Sequence, residues 1–527
     1  MKSNCYLNTG EQSFDSFYPR VKSFLEQDTL DLVIDAQKIR GYRSPDSKSI
    51  WIRDLSDMIR GFKYFEKDLT SAIEHFADTQ AENGRIMDYF TNIPEKLPGE
   101  RENWIKYVRV PVEADVEYRF VKAAFLAWQA TGDDAWIEKL LPKMERALTY
   151  VLTHPWRWDD KLKLVKRAYT IDTWDFAYTA GKHDWLQFQI DENTFWGIMH
   201  GDNSGYYQAF RILAFLYRYF KNPDRALLWE KRASELRENM NRICWNGSFY
   251  THFVKLTPVT IEGVDEKAQL SLSNPMDINR GVPTHEMSVA IIREYLARKS
   301  KSNAFAEWFS IDPPFPDGIF GDEKLKAGAY INGGIMPLVG GELARAAFEH
   351  GFERYGVDIL KQYAHMIEES GETYLWYFPD GTASSIETST SPDAVPTDGW
   401  GSSAMLYALF EGLAGVEDKQ KLYRKVRLSP RWLAAEIEDA EVQMAYENSH
   451  SMFAYQYRFD HSSVNIEIQA QDADVSFHLL LPAKSSVRSV QANGEDMDFS
   501  QRTVVKSSYV DFSLRVKKGA VLKINLK

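Results

Sequence analysis

The spacing of hydrophobic residues divides the chain near residue 425. Before that point, apolar residues recur at i, i+3, i+4 and i+7, the spacing that gives a helix one buried face. After it, apolar and polar residues alternate, which is typical of strands with one buried face. The pattern therefore predicts a large helical unit followed by a smaller β unit.

The helical part divides into segments that come in pairs joined by short turns. At one such turn, residues 220–224, a proline follows the first helix and Asp224 is expected to cap the next. The predicted helices are 52–65, 69–78, 115–129, 135–152, 204–220, 224–243, 285–297, 337–355, 357–369 and 401–413.

Paired helices can stack into an open superhelix or close into a double ring. An open superhelix repeats a unit of fixed length and signature, and the sequence has no such repeat. Its loops are unequal, and those at 161–199 and 372–399 are long and aromatic. Because long loops in a compact domain usually carry function, we expect a closed double ring with its active site where these loops gather.

The β part contains seven predicted short strands between residues 442 and 525, separated by turn signals such as Asn493-Gly494. So many short strands in so few residues indicate an antiparallel β-sandwich. We therefore expect an N-terminal extension (1–45) that packs on the barrel, a helical catalytic barrel (46–424) and a C-terminal sandwich (425–527). The sandwich shows no catalytic constellation, and its expected role is to stabilise the barrel.

Composition narrows the function. The net charge of −12, without a basic stripe, argues against nucleic acid or an anionic membrane as partner. Only two cysteines are present, which excludes a disulfide framework. No apolar run is long enough to span a bilayer, and no apolar leader is visible, so a cytoplasmic location is expected unless a signal peptide was removed. No metal or cofactor is expected, and the oligomeric state is left open.

Aromatic residues make up 14% of the chain, which fits either a bulky core or a cleft lined by flat side chains. The C–H faces of sugars stack on such side chains. The first candidate stretch is Trp51-Ile52-Arg53-Asp54. A guanidinium fork beside a carboxylate suits a bidentate grip on two neighbouring sugar hydroxyls. The alternative is an ion pair at the start of a helix.

The second candidate region contains Asp172, Trp174 and Asp175, followed later by Asp202. Carboxylates beside bulky aromatics lose water, which raises the pKa, and a glycosidic general acid must keep its proton near neutral pH. Asp175 and Asp172 fit that description. Asp202 is either an acid or the N-cap of a helix that begins near Ser204.

The third region, residues 372–400, combines an aromatic cluster around Trp376 with the carboxylates Glu387, Asp393 and Asp398. It ends at Trp400 and leads into the predicted helix 401–413. A carboxylate here could activate water as a general base. Inverting hydrolysis needs two carboxyl groups roughly 6.5–9.5 Å apart, so that a water molecule fits beside the anomeric carbon.

These stretches, in this order, resemble those of the six-hairpin glycosidases, which include glucoamylases, α-glucosidase I, α-L-rhamnosidases and disaccharide phosphorylases. That resemblance implies a mainly α fold, an (α/α)6 barrel. SIWIRDLSDMIRGF resembles the family's Trp-x-Arg-Asp stretch, which implies that Trp51, Arg53 and Asp54 bind sugar in the −1 subsite. IDTWDF resembles the glucoamylase stretch in which the general acid follows the tryptophan, which implies Asp175 as the acid.

Other stretches extend the resemblance over nearly the whole chain from residue 50. YINGGIMP resembles the Asn-Gly-Gly-x-Trp-Pro loop of many members, DGWGSSAMLYALFEGLAG resembles their final helix, and LSPRWL resembles the start of the C-terminal sandwich of rhamnosidases and phosphorylases. One departure concerns the base, because YLWYFPDG lacks the glutamate that relatives often carry there. Glu372 precedes it and Glu387 follows it, and we take Glu387 as the expected base.

The sequence thus favours an exo-acting, inverting glycoside hydrolase, with Asp175, Asp202 and Glu387 as catalytic candidates. The expected sugar contacts are Trp51, Arg53, Asp54, Asp172, Trp174, Trp376, Asp398 and Trp400. Three alternatives stay open. They are an inverting phosphorylase, which would need donors such as Lys166-Arg167 or Ser384-Ser385, a non-catalytic sugar-binding protein, and an epimerase with His200 and His285 as its paired bases.

Overall fold

The first part of the chain is mainly helical in the computed structural model, which describes residues 4–45, 47–92, 101–102, 106–182, 189–390 and 396–527. Its helices are α1 Gln12–Asp15, α2 Phe17–Gln27, α3 Ile52–Phe62, α4 Ser71–Asp78, α5 Val116–Thr131, α6 Asp134–Thr153, α7 His200–Tyr219, α8 Pro223–Ile243, α9 Ser273–Arg280, α10 His285–Lys299, α11 Pro337–Glu349, α12 Glu353–Ser370 and α13 Gly399–Tyr407. A π-helical segment, Ala408–Leu413, continues α13.

Six of these helices, α3, α5, α7, α9, α11 and α13, form a closed inner ring. Each packs against the next, and α13 packs against α3. Helices α6, α8, α10 and α12 lie outside, each against the inner helix that precedes it, and α2 lies against α13. The result is an (α/α)6 barrel, as the sequence predicts.

The inner helices approach one another closely where they carry glycine. A Cβ on Gly341 of α11 would lie 2.4 Å from the carbonyl carbon of Ala404 in α13. A Cβ on Gly205 of α7 would lie 2.4 Å from the aromatic ring of Tyr118 in α5. Real Cβ atoms do not come so near, so both helix pairs depend on the missing side chain.

Fourteen short strands occur among the described residues up to residue 312. They are β1 Tyr6–Asn8, β2 Thr29–Ile34, β3 Gln37–Tyr42, β4 Ser49–Trp51, β5 Tyr89–Thr91, β6 Arg101–Glu102, β7 Lys106–Tyr107, β8 Trp158–Asp159, β9 Leu164–Val165, β10 Arg167–Ala168, β11 Trp196–Ile198, β12 Val254–Lys255, β13 Leu270–Ser271 and β14 Ile311–Asp312. Except for β1, they pair into small sheets in the connections between helices.

The C-terminal part is a β-sandwich of two sheets. Its strands are β15 Val416–Asp418, β16 Lys425–Leu428, β17 Asp439–Tyr446, β18 Ser451–Phe459, β19 Ser463–Ala470, β20 Ala473–Leu480, β21 Val487–Ala492, β22 Glu495–Met497, β23 Ser500–Val504, β24 Ser507–Val516 and β25 Gly519–Leu526. One sheet has the order β1-β17-β18-β19-β25-β21-β22 and the other β15-β16-β20-β24-β23. The pairing is antiparallel except between β16 and β20.

The N-terminal segment touches both halves of the molecule. Strand β1 pairs with β17 at the edge of the larger sheet, with Tyr6 opposite Gln443, while α2 packs on α13 of the barrel. The expected domain limits near residues 45 and 424 stay predictions. Among the described helices, none is long and apolar enough to cross a membrane.

Several helix limits differ from the predicted ones for local reasons. The predicted helix 337–355 is two helices, because the chain turns at Gly351, whose φ of +83° breaks α11 from α12. Asn222, not Asp224, caps α8, since its side chain accepts the N–H of Arg225 and Pro223 opens the helix. Helix α9 was not predicted, because the polar sequence SNPMDINR has no apolar stripe.

We predict that Gly341→Ala lowers the free energy of unfolding by about 1–3 kcal/mol, because α11 and α13 must separate to admit the methyl group. Chemical denaturation measures the change. Arg293→Ala, on the exposed face of α10, is the control and should shift stability by less than about 0.5 kcal/mol. Equal stability of the two variants would contradict the close packing of the barrel.

Candidate active site

The first turns of several inner helices meet at one end of the barrel. Arg53 lies in the first turn of α3, and its guanidinium contacts Asp115, which directly precedes α5, at 3.1 and 3.2 Å. The same guanidinium lies 5.7 Å from the ring centre of Trp174. Trp174 in turn stacks on Trp400, in the first turn of α13, with ring centres 5.3 Å apart. The structure therefore brings Arg53, Trp174 and Trp400 together, as the sequence predicts.

Trp174 is fixed by its neighbours. Its indole N–H donates to the hydroxyl of Tyr330 at 2.8 Å, in the YINGGIMP stretch. Tyr330 also packs on Trp376, with ring centres 6.1 Å apart. Tyr330 therefore lies between Trp376 and Trp174, and Trp376 is buried.

Asp54 and Asp398 lie beside this aromatic group. Asp398 caps α13, accepting the backbone N–H of Trp400 at 2.5 Å, and Arg43 is 3.6 Å from the carboxylate of Asp54. Burial, opposed by Arg43 and Arg53, leaves the pKa of Asp54 raised. Burial and the neighbouring Asp54 hold the pKa of Asp398 well above its usual range. Both carboxyls are therefore shifted toward the protonated form.

Asp175 has the opposite electrostatic setting. Burial would raise the pKa of its carboxyl, but Arg109 and Arg53 outweigh burial and lower it. Arg109 donates to Asp175 at 2.6 Å. The expectation that Trp174 and Phe176 raise the pKa of Asp175 is therefore wrong, because the sequence neighbours are aromatic and the spatial neighbour is an arginine. The side chain of Asp175 is 22% exposed, so it is partly accessible to solvent.

Arg109 belongs to a set of buried charges beneath the aromatic group. It also donates to Asp88 at 2.7 Å and to Glu113 at 2.6 Å, and Glu113 accepts a further hydrogen bond from Arg53. Sequence reasoning missed Asp88, Arg109, Glu113 and Asp115. The available signal was the density of charged residues in 109–119, just where a largely apolar helix begins.

Trp51 forms a second aromatic surface next to the first. It stacks on Tyr89 with ring centres 3.9 Å apart. The guanidinium groups of Arg43 and Arg109 lie 5.0 and 4.8 Å from its ring centre. The alternative that Arg53 and Asp54 form a simple capping ion pair is not supported, because the partners of Arg53 are Glu113 and Asp115.

Asp172 and Asp202 are fully buried. Asp172 has a left-handed backbone, φ +46°, and accepts hydrogen bonds from Ser273 that tie its loop to α9. Asp202 pairs with Arg167 at 3.2 Å, and burial raises its pKa to about 6 against the pull of that arginine. Helix α7 begins at His200, so the N-cap interpretation of Asp202 is wrong. Both carboxylates hold loops onto helices.

The remaining candidates differ from these in exposure and in their contacts. Glu387 is exposed, and a hydrogen bond from Ser385 lowers the pKa of its carboxyl. Asp393 falls outside the described residues. His200 is buried against Asp277 at 2.5 Å, whereas His285 contacts His350 at 2.9 Å, so no contact among the described residues pairs the two as epimerase bases. The residues that the structure describes contain no cluster that could hold a metal ion.

No family model matches the chain, and a search of curated proteins finds no match. Solved structures do match it. An α-L-rhamnosidase from Dictyoglumus thermophilum superposes with a TM-score of 0.59 at 10% identity, covering 99% of this chain and 50% of that one. An α-L-rhamnosidase from Streptomyces avermitilis in complex with L-rhamnose gives a TM-score of 0.61 at 13% identity, covering 99% and 42%. The chain shares their fold.

A shorter glycosidase matches the chain less closely. A mannosylglycerate hydrolase from Thermus thermophilus gives a TM-score of 0.51 at 12% identity, covering 75% of this chain and 99% of that one. The chain spans half or less of the length of the two rhamnosidases above. At these identities the likeness establishes the (α/α)6 barrel and its sandwich, and the chemistry has to be argued from the site.

Glu117, in the first turn of α5, gives the site region a measurable pH dependence. It is buried, it accepts hydrogen bonds from the backbone of Ile86 and the hydroxyl of Tyr206, and burial raises its pKa to about 7. Its usual value is 4.5. Between these values the folded chain holds a proton that the unfolded chain releases, so stability falls as pH rises from about 4.5 to 7.

We predict that Glu117→Gln flattens this slope and stabilises the fold above pH 7 by about 2–3 kcal/mol, because the amide keeps the shape without the buried charge. Denaturant unfolding at a series of pH values measures it. Glu235→Gln, at an exposed position of α8, is the control for loss of one charge. If stability depended on pH in the same way in the unmodified chain, Glu117→Gln and Glu235→Gln, Glu117 would be ionised in the folded chain over this whole pH range.

Proposed function

We propose that the chain is a glycoside hydrolase that removes a terminal sugar from an oligosaccharide or glycoconjugate with inversion. The observation that carries the proposal is a chain of contacts at one end of the barrel. It runs from Asp175 through Arg109, Glu113 and Arg53 to Trp174, Trp400 and Asp398. Sugar binding requires aromatic side chains and hydrogen-bond donors. Acid/base cleavage requires one carboxyl group that keeps its proton and one that is ionised.

Trp174 and Trp400 stack on each other and are each 4% exposed, so their proposed role is to form the wall behind the sugar, whereas the half-buried indole of Trp51 suits its apolar face. Asp54 at the barrel end, with Arg43 beside it, suits the hydroxyls at the edge of the sugar. The guanidinium of Arg53 is engaged by Glu113 and Asp115, so its proposed role is to fix the floor of the subsite and to place positive charge beneath the indole.

The electrostatics support a different division of roles from the one that the sequence suggests. Arg109 favours the ionised form of Asp175, and an ionised, partly exposed carboxylate suits a general base that takes a proton from water. The proton donor needs a raised pKa and access to the leaving oxygen. Asp54 combines a raised pKa with a side chain that is 12% exposed, whereas Glu113 and Asp88 are sealed beneath arginines at 1%.

In this proposal the Asp54 carboxyl gives its proton to the glycosidic oxygen as the bond to the anomeric carbon breaks. The Asp175 carboxylate accepts a proton from the water that attacks the opposite face, so the products are an alcohol and a sugar of inverted configuration. The rhamnosidase and mannosylglycerate hydrolase names of the structural neighbours support glycosidic bonds as the substrate class.

The phosphorylase alternative has less support. Arg167 is fully buried and committed to Asp202 and to the carbonyl oxygens of Val112 and Trp174. Its Nε has no hydrogen-bond partner among the described residues, but the side chain is sealed from solvent and so is not open to a phosphate ion. Release of sugar-1-phosphate in phosphate buffer would still reveal that reaction.

We predict that Asp175→Asn and Asp54→Asn each lower the rate on a natural glycoside by about 10²–10⁴-fold. On an activated aryl glycoside, whose leaving group needs no protonation, Asp54→Asn should recover most of its activity and Asp175→Asn should not. A glycoside panel followed by NMR of the released anomer measures both the rate and the stereochemistry.

Asp202→Asn is the matched control, because Asp202 is a buried carboxylate of the same barrel end with no exposed surface. The reverse result, with recovery in Asp175→Asn, would make Asp175 the acid, as the sequence suggests. Sugar binding without turnover in the unmodified chain would instead indicate a non-catalytic sugar-binding protein.

A further inference from the structure

A cavity of about 320 Å³ lies inside the barrel, away from the candidate active site. All six inner helices contribute to its wall, including Arg60 in the last turn of α3, Arg280 at the end of α9 and Tyr407 at the end of α13. These residues lie at the opposite ends of their helices from Arg53 and Trp400. We call this space the basal cavity.

The wall of the basal cavity carries an excess of positive charge. Of the described residues, six lysines and arginines and four carboxylates line it, in a chain whose net charge is −12. Part of this excess has a structural explanation, because cations near the C-terminal ends of helices offset the negative end of the helix dipole. Charge alone therefore does not identify a ligand.

Arg60 supplies the second observation. It is buried, its Nη1 pairs with Glu342 and its Nε donates to the backbone carbonyl of Asp57. Its Nη2 is buried and donates no hydrogen bond to any described residue. The carboxylate oxygen recorded for it, on Asp57, is 4.0 Å away. The guanidinium also lies 5.2 Å from the ring centre of Tyr407, another residue of the cavity wall. Buried donors are nearly always bonded, so the unbonded nitrogen makes Arg60 a candidate partner for an acceptor in the cavity.

Two further cations share this wall. The ammonium group of Lys122 pairs with Asp57 and lines the cavity, and burial, reinforced by Arg60 and Arg280, lowers its pKa to about 8. Arg211, on α7, is exposed and sits 5.7 Å from the ring centre of Tyr207. An acceptor with negative charge would satisfy Arg60 and relieve the repulsion that Lys122 experiences.

We propose that the basal cavity binds an oxyanion, the phosphate or carboxylate group of a small molecule, through Arg60, Lys122 and Arg211. Arg60 has one unbonded nitrogen, Nη2, to offer such a group, whereas the exposed guanidinium of Arg211 can pair with it through two parallel hydrogen bonds, and Lys122 adds to the attraction. The volume admits a single small ligand. This site is separate from the proposed glycosidase centre, and its test requires no enzymatic activity.

The experiment is thermal unfolding of the full chain in phosphate, acetate or chloride at equal ionic strength. We expect phosphate or acetate, but not chloride, to raise the midpoint by roughly 2–4 °C in a saturable manner, because a ligand that binds only the folded state stabilises it. A response to phosphate alone assigns the phosphate class, and a response to acetate alone assigns the carboxylate class.

Arg211→Gln should remove at least half of that shift, since it deletes the accessible cation. Arg218→Gln is the matched control, because Arg218 lies on the same helix, is 66% exposed and pairs with Glu230 outside the cavity. Both variants lose one positive charge. Arg60→Lys, checked for folding by circular dichroism, should also remove the shift, because an ammonium group cannot bond Glu342 and the carbonyl of Asp57 and still reach the ligand as Nη2 does.

The proposal is overturned if no anion raises the midpoint relative to chloride. It is also overturned if the saturable shift is the same in Arg211→Gln as in Arg218→Gln. Because Arg211 is exposed and bridges no buried carboxylate among its recorded contacts, that comparison decides the matter even if Arg60→Lys fails to fold.

Discussion

The carboxylate of Asp57 ties three inner helices of the barrel together. Asp57 lies on α3 and accepts hydrogen bonds from Arg119 and Lys122 of α5 and from the indole N–H of Trp400 of α13. Burial would raise its pKa, but Lys122, Arg119 and Arg60 hold it well below the usual range. Removing one partner from such a group leaves a buried charge uncompensated. Trp400, which donates to Asp57, belongs to the candidate active site, and Lys122, which also pairs with Asp57, lines the basal cavity. Residues from both ends of the barrel therefore contact the same buried carboxylate.

The fold followed from the sequence because its signals are local. The period of the apolar residues identified most inner and outer helices within a few residues, and the alternation after residue 425 identified the sandwich. Helix α9 was missed because polar groups cover it and its burial comes from tertiary contacts. Helix α2 was missed as well, although its apolar face completes the outer layer beside α13.

The site was only partly predictable, because pairing in space decides the charge state of a carboxyl group. Arg53, Trp174 and Trp400 meet as their motifs suggest. Asp175 accepts a hydrogen bond from Arg109, which is 66 residues away along the chain, and no sequence motif predicted this contact. Aromatic neighbours in sequence therefore gave the wrong direction for the pKa of Asp175. Asp54, which the sequence offered as a sugar contact, has the raised pKa instead.

The pairing of β1 with β17 has a consequence for synthesis on the ribosome. Tyr6 emerges first, but its partner Gln443 is made more than four hundred residues later. Until then β1 has no strand to pair with, and α2 has no α13 to cover its apolar face. Contacts of such long range are slow to form and leave apolar surface exposed meanwhile. A nascent chain of this protein therefore carries an unpaired N-terminal strand and helix through most of translation, and it is during that interval that we expect it to depend most on chaperones.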